Sequence, residues 1–320
     1  MKKYIYIATL GLLFFSCDKK SKIEKAIEEI PVSMKLHRFE QAFFDANPND
    51  LTSVKAQYPE FFPSGVPDSV WTNKIRNEQW RELYAEVEKK YKNFNSEQQE
   101  IEDLFKHIKY YFPTVITPQI YTAIGDMNDQ YKTIYAKDKL IIALELYLGK
   151  EHKFYSEFPA YLRQNFEQRQ MLPDVVTSFA FGILTPPRDK DLLSLMVFSG
   201  KELYLKDILL PEYTDAERIG YTEEQIKWSK ENEAYMWEYF INDKLLFSSD
   251  SKLPNRFINL APFSKFYLEI DNESPGRVGQ WIGWQIVRSF MENNPQVTVQ
   301  ELIKMDAKQI FEKSKYKPKK

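Results

Sequence analysis

The segment 274–294 constrains the fold of this chain more than any other. Pro275 and Gly276 interrupt whatever precedes it, and the next proline is Pro295, so a helix can run between them. Apolar side chains recur at helical spacing on two sides of this predicted helix, with Val278, Trp281, Ile282 and Ile286 on one side and Trp284, Val287 and Met291 on the other. A helix that is apolar on two sides is normally buried with other elements packed around it. We therefore expect it at the centre of the fold.

Two glycines lie one turn apart in this helix, Gly279 and Gly283. Glycine inside a helix costs about 1 kcal/mol relative to alanine, and we expect another backbone to cross closely there. Trp281 and Trp284 flank the predicted crossing. The sequence leaves open whether these four residues, together with Arg277, form an interaction surface or a structural core.

Arg277 falls in the first turn of the predicted helix, where a cation opposes the helix dipole. Its position predicts an acidic partner such as Asp271 or Glu273. A packing salt bridge is the favoured interpretation, and a ligand site is the alternative.

The N-terminus has the features of an export signal. Lys2 and Lys3 precede an apolar run at 4–15, which ends at Ser16 and Cys17. A charged start, a short apolar stretch and a small-residue boundary are typical of a secretory signal, and the run is too short to span a bilayer, which needs about 20 residues. Cys17 is the only cysteine of the chain and resembles the lipidated cysteine of a bacterial lipobox.

That resemblance implies a signal peptide at 1–16 and a mature chain that begins at acylated Cys17. Several acyl chains, at about 0.8 kcal/mol per buried CH₂, anchor a protein stably without a spanning helix. Acylation would leave no free thiol for a disulfide or for cysteine catalysis. Residues 17–30 are charged and poor in large apolar side chains, and we expect them to form a solvated tether.

The remaining residues, 31–320, predict one mainly helical α+β domain with a small sheet of three to four strands. Strand-like patterns lie at 32–36, 115–123, 131–136 and 140–148. The last of these is almost wholly apolar, so we expect it to be buried on both faces. Three capping boxes predict helix starts, at Ser96 with Gln99, Thr222 with Gln225, and Thr298 with Glu301.

Glu145 is the one acid inside the apolar run at 140–148. A buried carboxylate needs a partner or a shifted pKa. Because unpaired buried acids are rare, we expect Glu145 at the sheet edge, facing water.

The sequence predicts no catalytic residue, no metal site and no cofactor. His37, His107 and His152 are each isolated, and we expect all three at the surface. A zinc site would have to gather ligands from distant segments. No nucleophile elbow and no phosphate-binding glycine loop occurs in the sequence.

The charge balance does not favour nucleic acid as a partner. Removing residues 1–16 takes Lys2 and Lys3 from the 44 basic side chains, which leaves 42 against 46 acidic ones. A net charge of −4 provides no global field for a polyanion.

Several distinctive segments resemble the gliding-motility lipoprotein family GldB of Bacteroidetes over essentially the whole length. The segments are Lys106–Pro113, Tyr147–Gly149, Ser199–Lys201, Ala261–Phe266, Ser274–Arg288 and Ser314–Pro318, in addition to the lipobox at Cys17. The resemblance implies a lipoprotein of the cell envelope, with its body in the periplasm, that is needed for gliding. Its implied partners are other gliding-motility proteins and a secretion system that exports surface adhesins.

A weaker resemblance points to predicted zinc peptidases built around a His-Glu-x-x-His helix, and so to a degenerate zincin-like fold. That helix would fall near 174–183, where both histidines and the glutamate are absent, and Ser199-Gly200 stands where an acidic third ligand is expected. Without these ligands zinc cannot activate water. We therefore expect a non-catalytic protein that acts through contacts. The alternative is a degenerate or cryptic hydrolase that uses Glu145 or Glu202 in an aromatic cleft.

Overall fold

A computed structural model describes residues 22–269 and 271–318. Cys17 and the predicted signal peptide at 1–16 lie outside the described residues. The helices, in chain order, are α1 (Lys22–Glu28), α2 (Phe39–Phe44), α3 (Thr52–Gln57), α4 (Asp68–Arg76), α5 (Glu78–Lys90), α6 (Asn95–Tyr111), α7 (Ala160–Arg163), α8 (Met171–Ile183), α9 (Leu192–Leu209), α10 (Asp215–Ile219), α11 (Glu223–Glu231), α12 (Glu233–Asn242), α13 (Leu253–Phe257), α14 (Val278–Asn293), α15 (Val299–Leu302) and α16 (Ala307–Ser314). The strands are β1 (Leu36–Arg38), β2 (Gln119–Ala123), β3 (Thr133–Ala136) and β4 (Lys139–Ala143). The protein is a mainly helical α+β domain, as the sequence predicted.

The four strands form one mixed sheet in the order β1-β2-β4-β3. β1 pairs with β2, and β2 with β4, in parallel, whereas β3 pairs with β4 in antiparallel orientation. β4 is an interior strand, and its Leu140 and Ile142 are fully buried, which agrees with its apolar sequence. It ends at Ala143, however, and residues 144–146 form a 3-10 turn.

The first described residues differ from the expected tether. From Lys22 the chain forms helix α1, which packs against α6. Ile27 is buried at 2% exposure, whereas Ile23 is 46% exposed. Ile23, Ile27 and Ile30 have helical spacing, and Ile27 is the buried member of this stripe.

The core consists of two large apolar clusters that meet at α9. One cluster joins the sheet to α5, α6 and α8, and the other joins α9 to α12, α14 and α16. α9 contributes Leu205 and Leu209 to the first cluster and Leu193 and Met196 to the second. Its apolar residues therefore surround the helix, as expected for an element between two layers.

α14 is the buried central helix that the sequence predicted. Val278, Ile282 and Ile286 are fully buried, and the contact between α14 and α9 is the most extensive one between helices in the described chain. None of the described helices combines the length and apolar character needed to cross a bilayer.

Candidate functional site

The helix that the zinc-peptidase resemblance singled out is α8, and it packs against β3 and α9. Its single acid, Asp174, contacts a lysine and a tyrosine. The Oδ2 atom of Asp174 lies 2.6 Å from Nζ of Lys132 and accepts a hydrogen bond of 2.9 Å from the hydroxyl of Tyr147. Tyr147 is fully buried. Asp174 thus joins α8 to the sheet side of the protein.

The acid facing α8 from α9 is Glu202. Its Oε1 accepts a 2.8 Å hydrogen bond from the hydroxyl of Thr177 and lies 3.2 Å from Nζ of Lys206. The Lys206 side chain is only 8% exposed and that of Glu202 is 27% exposed. Each of the two acids is thus neutralised by a lysine and fixed by a hydroxyl group.

This arrangement does not provide a metal centre. Zinc sites in proteins use at least three protein ligands drawn from Cys, His, Asp and Glu. Within residues 22–269 and 271–318, no group of three or more such side chains is placed to hold an ion. Ser199, which stands where a third ligand was expected, is a buried residue of α9.

Arg277 contradicts the prediction that it pairs with Asp271 or Glu273. It is the left-handed N-cap of α14, with φ of 65°. Its Nη2 donates to the carbonyl oxygen of Gly220 at 3.2 Å, and its guanidinium carbon lies 5.2 Å from the centre of the Tyr221 ring. Asp271 instead accepts hydrogen bonds from three consecutive backbone N–H groups, at 266–268.

Burial lowers the pKa of Arg277, and the negative charges of Glu202 and Asp174 partly counteract that decrease. The guanidinium therefore acts electrostatically on the same two acids of α8 and α9.

The two glycines of α14 lie against backbone from other elements. A Cβ atom on Gly283 would lie 1.8 Å from the carbonyl oxygen of Met196 in α9, and one on Gly279 would lie 2.8 Å from that of Phe257. Gly200 of α9 faces Gly283 from the other side of the crossing. These positions favour the structural interpretation of the two glycines.

The tryptophans of α14 are also internal. Trp281 and Trp284 are 1% and 0% exposed. The indole N–H of Trp281 donates to Glu233 at 3.1 Å, and that of Trp284 donates to Asp207 at 2.8 Å. A partner protein has no access to either ring in the folded chain.

An ion-pair network that the sequence analysis missed continues from Trp284. Arg288 donates from Nε and Nη2 to Asp207, at 2.8 and 2.6 Å, and from Nη2 to Asp215 at 2.7 Å. Arg218 lies 3.3 Å from Asp215 and 3.6 Å from Asp207. The sequence signal for this network is an arginine one turn after a buried tryptophan, the only cation of α14.

Glu145 is not at a water-facing edge, as we expected, but is fully buried. Its Oε1 accepts a hydrogen bond of 2.9 Å from the N–H of Gly125, whereas Oε2 has no hydrogen-bond partner among the described residues. Burial raises its pKa to about 7. The 3-10 turn at 144–146, which follows β4, places Glu145 against Gly125 in the loop after β2.

The histidines are less exposed than predicted. His37 stacks on Tyr121 and bonds to Gln119, and the side chains of His107 and His152 are 14% and 16% exposed. His107 lies 3.7 Å from Glu24 of α1, and His152 lies 3.5 Å from Glu86 of α5. Each histidine joins neighbouring elements, and the three do not meet.

Taken together, the fold and these clusters define a mainly helical α+β domain in which ion pairs such as Asp174 with Lys132 and Arg288 with Asp207 join neighbouring elements. The chain belongs to the gliding motility protein GldB family, which matches residues 20–318. No curated protein and no solved structure matches it significantly. The family is a gliding-motility family and is not known as a family of enzymes.

Proposed function

We propose that the protein is a lipid-anchored, non-catalytic component of the bacterial gliding machinery that acts by contacting other envelope proteins. Its partners belong to the motility apparatus and the associated secretion system. The family match over residues 20–318 carries the assignment to gliding. The body lies on the periplasmic side of the membrane that holds the lipid.

The state of the two acids between α8 and α9 supports a non-catalytic role. A catalytic zinc site keeps three protein ligands and an open position for water. Here Asp174 is paired with Lys132 and Glu202 with Lys206. Buried Glu145 is fully shielded from solvent, so a substrate cannot reach it in this fold.

The position of α1 supports attachment close to the membrane. Four residues, 18–21, separate Cys17 from the start of α1 at Lys22. An extended residue spans about 3.3–3.6 Å, so the α-carbon of Lys22 lies within about 18 Å of that of the lipidated cysteine. The face formed by α1 and α6 is then the one nearest to the bilayer.

Replacement of the lipid attachment site tests the anchoring. Cys17→Ala should release the full-length protein from the membrane fraction and abolish gliding, while Ser21→Ala, which also lies in the linking segment, should leave both unchanged. Full membrane retention of the Cys17→Ala protein, with an unmodified N-terminus by mass spectrometry, would overturn the proposed anchor.

A second experiment separates contact from catalysis. Glu202→Gln keeps the shape of the side chain and an oxygen for Thr177 but removes the charge that faces Lys206. If Glu202 is structural, gliding should persist provided that circular dichroism shows a folded variant. The alternative, a degenerate or cryptic hydrolase of the envelope, requires gliding to stop with this variant if Glu202 is the residue that it uses. Stoichiometric zinc in the purified full-length protein, or turnover of peptide substrates that Glu202→Gln abolishes, would establish that alternative.

A further inference from the structure

A cleft separate from the α8–α9 acids lies between α9, the segment 185–191 and the C-terminal helices α15 and α16. Its volume is about 870 Å³, within the range of about 300–1,000 Å³ that is usual for ligand sites. Its charged lining residues are Arg188, Asp189, Lys201, Glu301, Lys304 and Asp306. Three of these residues are basic and three are acidic. The charge that the cleft can bind therefore depends on which of them already have a partner within the protein.

Lys201 of α9 contributes a buried cation to this cleft. The residue is 6% exposed. Its ammonium donates to the carbonyl oxygens of Met305 at 2.6 Å and Ile303 at 3.4 Å. An ammonium has three N–H donors, and within residues 22–269 and 271–318 no acceptor is assigned to the third and no carboxylate lies within 4 Å of it.

The three acids of the cleft already have donors of their own. Asp189 lies 2.9 Å from Nζ of Lys308, and Asp306 caps α16 by accepting from the backbone N–H of Lys308 at 2.9 Å. Glu301 accepts from the backbone N–H and the hydroxyl of Thr298, at 2.8 and 2.9 Å. Each of the three acids thus accepts at least one hydrogen bond within the protein.

The other two cations of the cleft, Arg188 and Lys304, have no ion-pair partner among the described residues. Both are exposed to solvent. Phe198, Val297 and Met305 provide apolar lining between the charges. The cleft therefore offers unused donors beside apolar surface, which matches a carboxylate carried on an apolar peptide.

We propose that this cleft binds a carboxylate group of a partner protein's peptide segment, with Lys201 at its floor and Arg188 and Lys304 at its mouth. The inference rests on the proposed function and specifies the chemistry of one contact. A carboxylate would supply the acceptor and the opposite charge that the buried ammonium lacks. An ion pair shielded from water interacts more strongly than one at the surface, and the apolar residues beside it would exclude water.

The ionisation of Lys201 is consistent with this geometry. Burial lowers its pKa to about 8, and the charge of Asp306 opposes that decrease only in part. The ammonium is thus present at neutral pH in an environment that disfavours it, and a bound carboxylate would relieve that cost.

The test uses the full-length lipoprotein in detergent and an array of apolar hexapeptides in four matched forms. The central residue is either glutamate or glutamine, and the C-terminus is either free or amidated. The form with glutamine and an amidated C-terminus has no carboxylate. Affinity is measured by fluorescence anisotropy. At least one of the charged forms should bind ten-fold or more tightly than the uncharged form, and the comparison shows whether the carboxylate comes from a side chain or a chain end.

Variants locate the binding. The double variant Arg188→Gln, Lys304→Gln changes only exposed side chains and should weaken binding about ten-fold, and Lys201→Met should abolish it. The control is Lys227→Met, because the Lys227 side chain in α11 is 75% exposed. This variant should bind the peptides as tightly as the native chain does. Because loss with Lys201→Met alone could reflect misfolding, the exposed double variant decides the outcome.

Equal binding of charged and uncharged peptides, no binding of any form, or unaltered binding by the double variant would each overturn the proposed carboxylate site. These results would leave the anchoring and gliding phenotypes of Cys17→Ala untouched. If the double variant also stops gliding while it fractionates with membranes, the cleft contact is needed in the cell.

Discussion

The carbonyl oxygen of Met196 lies 1.8 Å from the point where a side chain on Gly283 would begin. The reciprocal contact is nearly as close, because a Cβ atom on Gly200 would lie 2.3 Å from the carbonyl oxygen of Gly283. The neighbouring atoms are backbone and cannot rotate away. Helices α9 and α14 can therefore approach this closely only while both positions are glycine.

Gly283→Ala should lower the free energy of unfolding by about 3 kcal/mol or more, at the upper end of overpacking effects. Gly182→Ala is the matched control, since Gly182 lies in α8 and a Cβ atom placed there would have no neighbouring atom within 4 Å. It should be neutral or stabilise the protein by up to about 1 kcal/mol through helix propensity. Urea unfolding followed by tryptophan fluorescence measures both changes. Equal stability of the two variants would contradict the close crossing.

Arg288→Met should also destabilise the protein, by about 2 kcal/mol. The arginine bonds to both Asp207 and Asp215, and its removal from this partly buried network leaves only Arg218 to compensate the two acids. Lys227→Met, which removes an exposed pair with Glu231, should change the free energy of unfolding by less than about 0.5 kcal/mol. If Arg288→Met lowers the free energy of unfolding no more than the control does, the ion-pair network contributes little to stability.

Local patterns in the sequence predicted helix starts well where a side chain caps the backbone within a few residues. The capping boxes at Thr222 and Thr298 form as predicted, with both reciprocal hydrogen bonds. The one predicted at Ser96 is wrong, because α6 begins at Asn95 and the Ser96 hydroxyl bonds to the side chain of Glu97 instead. Ser96 therefore lies inside the first turn of α6, where it cannot be the residue that precedes the helix.

Partners that are distant in sequence could not be predicted in the same way. Arg277 has two acids within six residues, yet it bonds to Gly220, which is 57 positions away. Lys201 meets carbonyl groups more than 100 positions away. Such contacts depend on how helices are placed in space, and periodicity within one segment contains no information about that placement.

The burial of Ile27 predicts that contacts with the rest of the domain hold α1 in its helical form. Ile27→Asp should detach the helix and speed hydrogen exchange of its hydrogen-bonded amides, at 26–30, at least ten-fold, while the amides of α14 keep their protection. Ile23→Asp should leave exchange nearly unchanged, because Ile23 is 46% exposed. Equal exchange rates in the two variants would mean that Ile27 does not hold α1 in place.

Glu145 predicts a specific dependence of stability on pH. Its pKa is about 7 in the folded chain, above the ordinary value of 4.5, so the folded state holds the proton more tightly than the unfolded state. The stability that results is fully present below about pH 4.5 and is lost as the pH rises through 7. At 1.36 kcal/mol per pKa unit, the loss amounts to about 3 kcal/mol.

Glu145→Gln should remove this loss, because the amide stays neutral at every pH and can still accept from the N–H of Gly125. The difference in the free energy of unfolding between the variant and the native chain should therefore grow in favour of the variant between pH 5 and pH 8. Glu40, whose pKa burial also raises, contributes equally to both proteins and cancels in the comparison. Glu231→Gln, at an exposed position, should show no such change. If Glu145→Gln unfolds with the same pH profile as the native chain, Glu145 is ionised in the folded state and some group or solvent must reach its second oxygen.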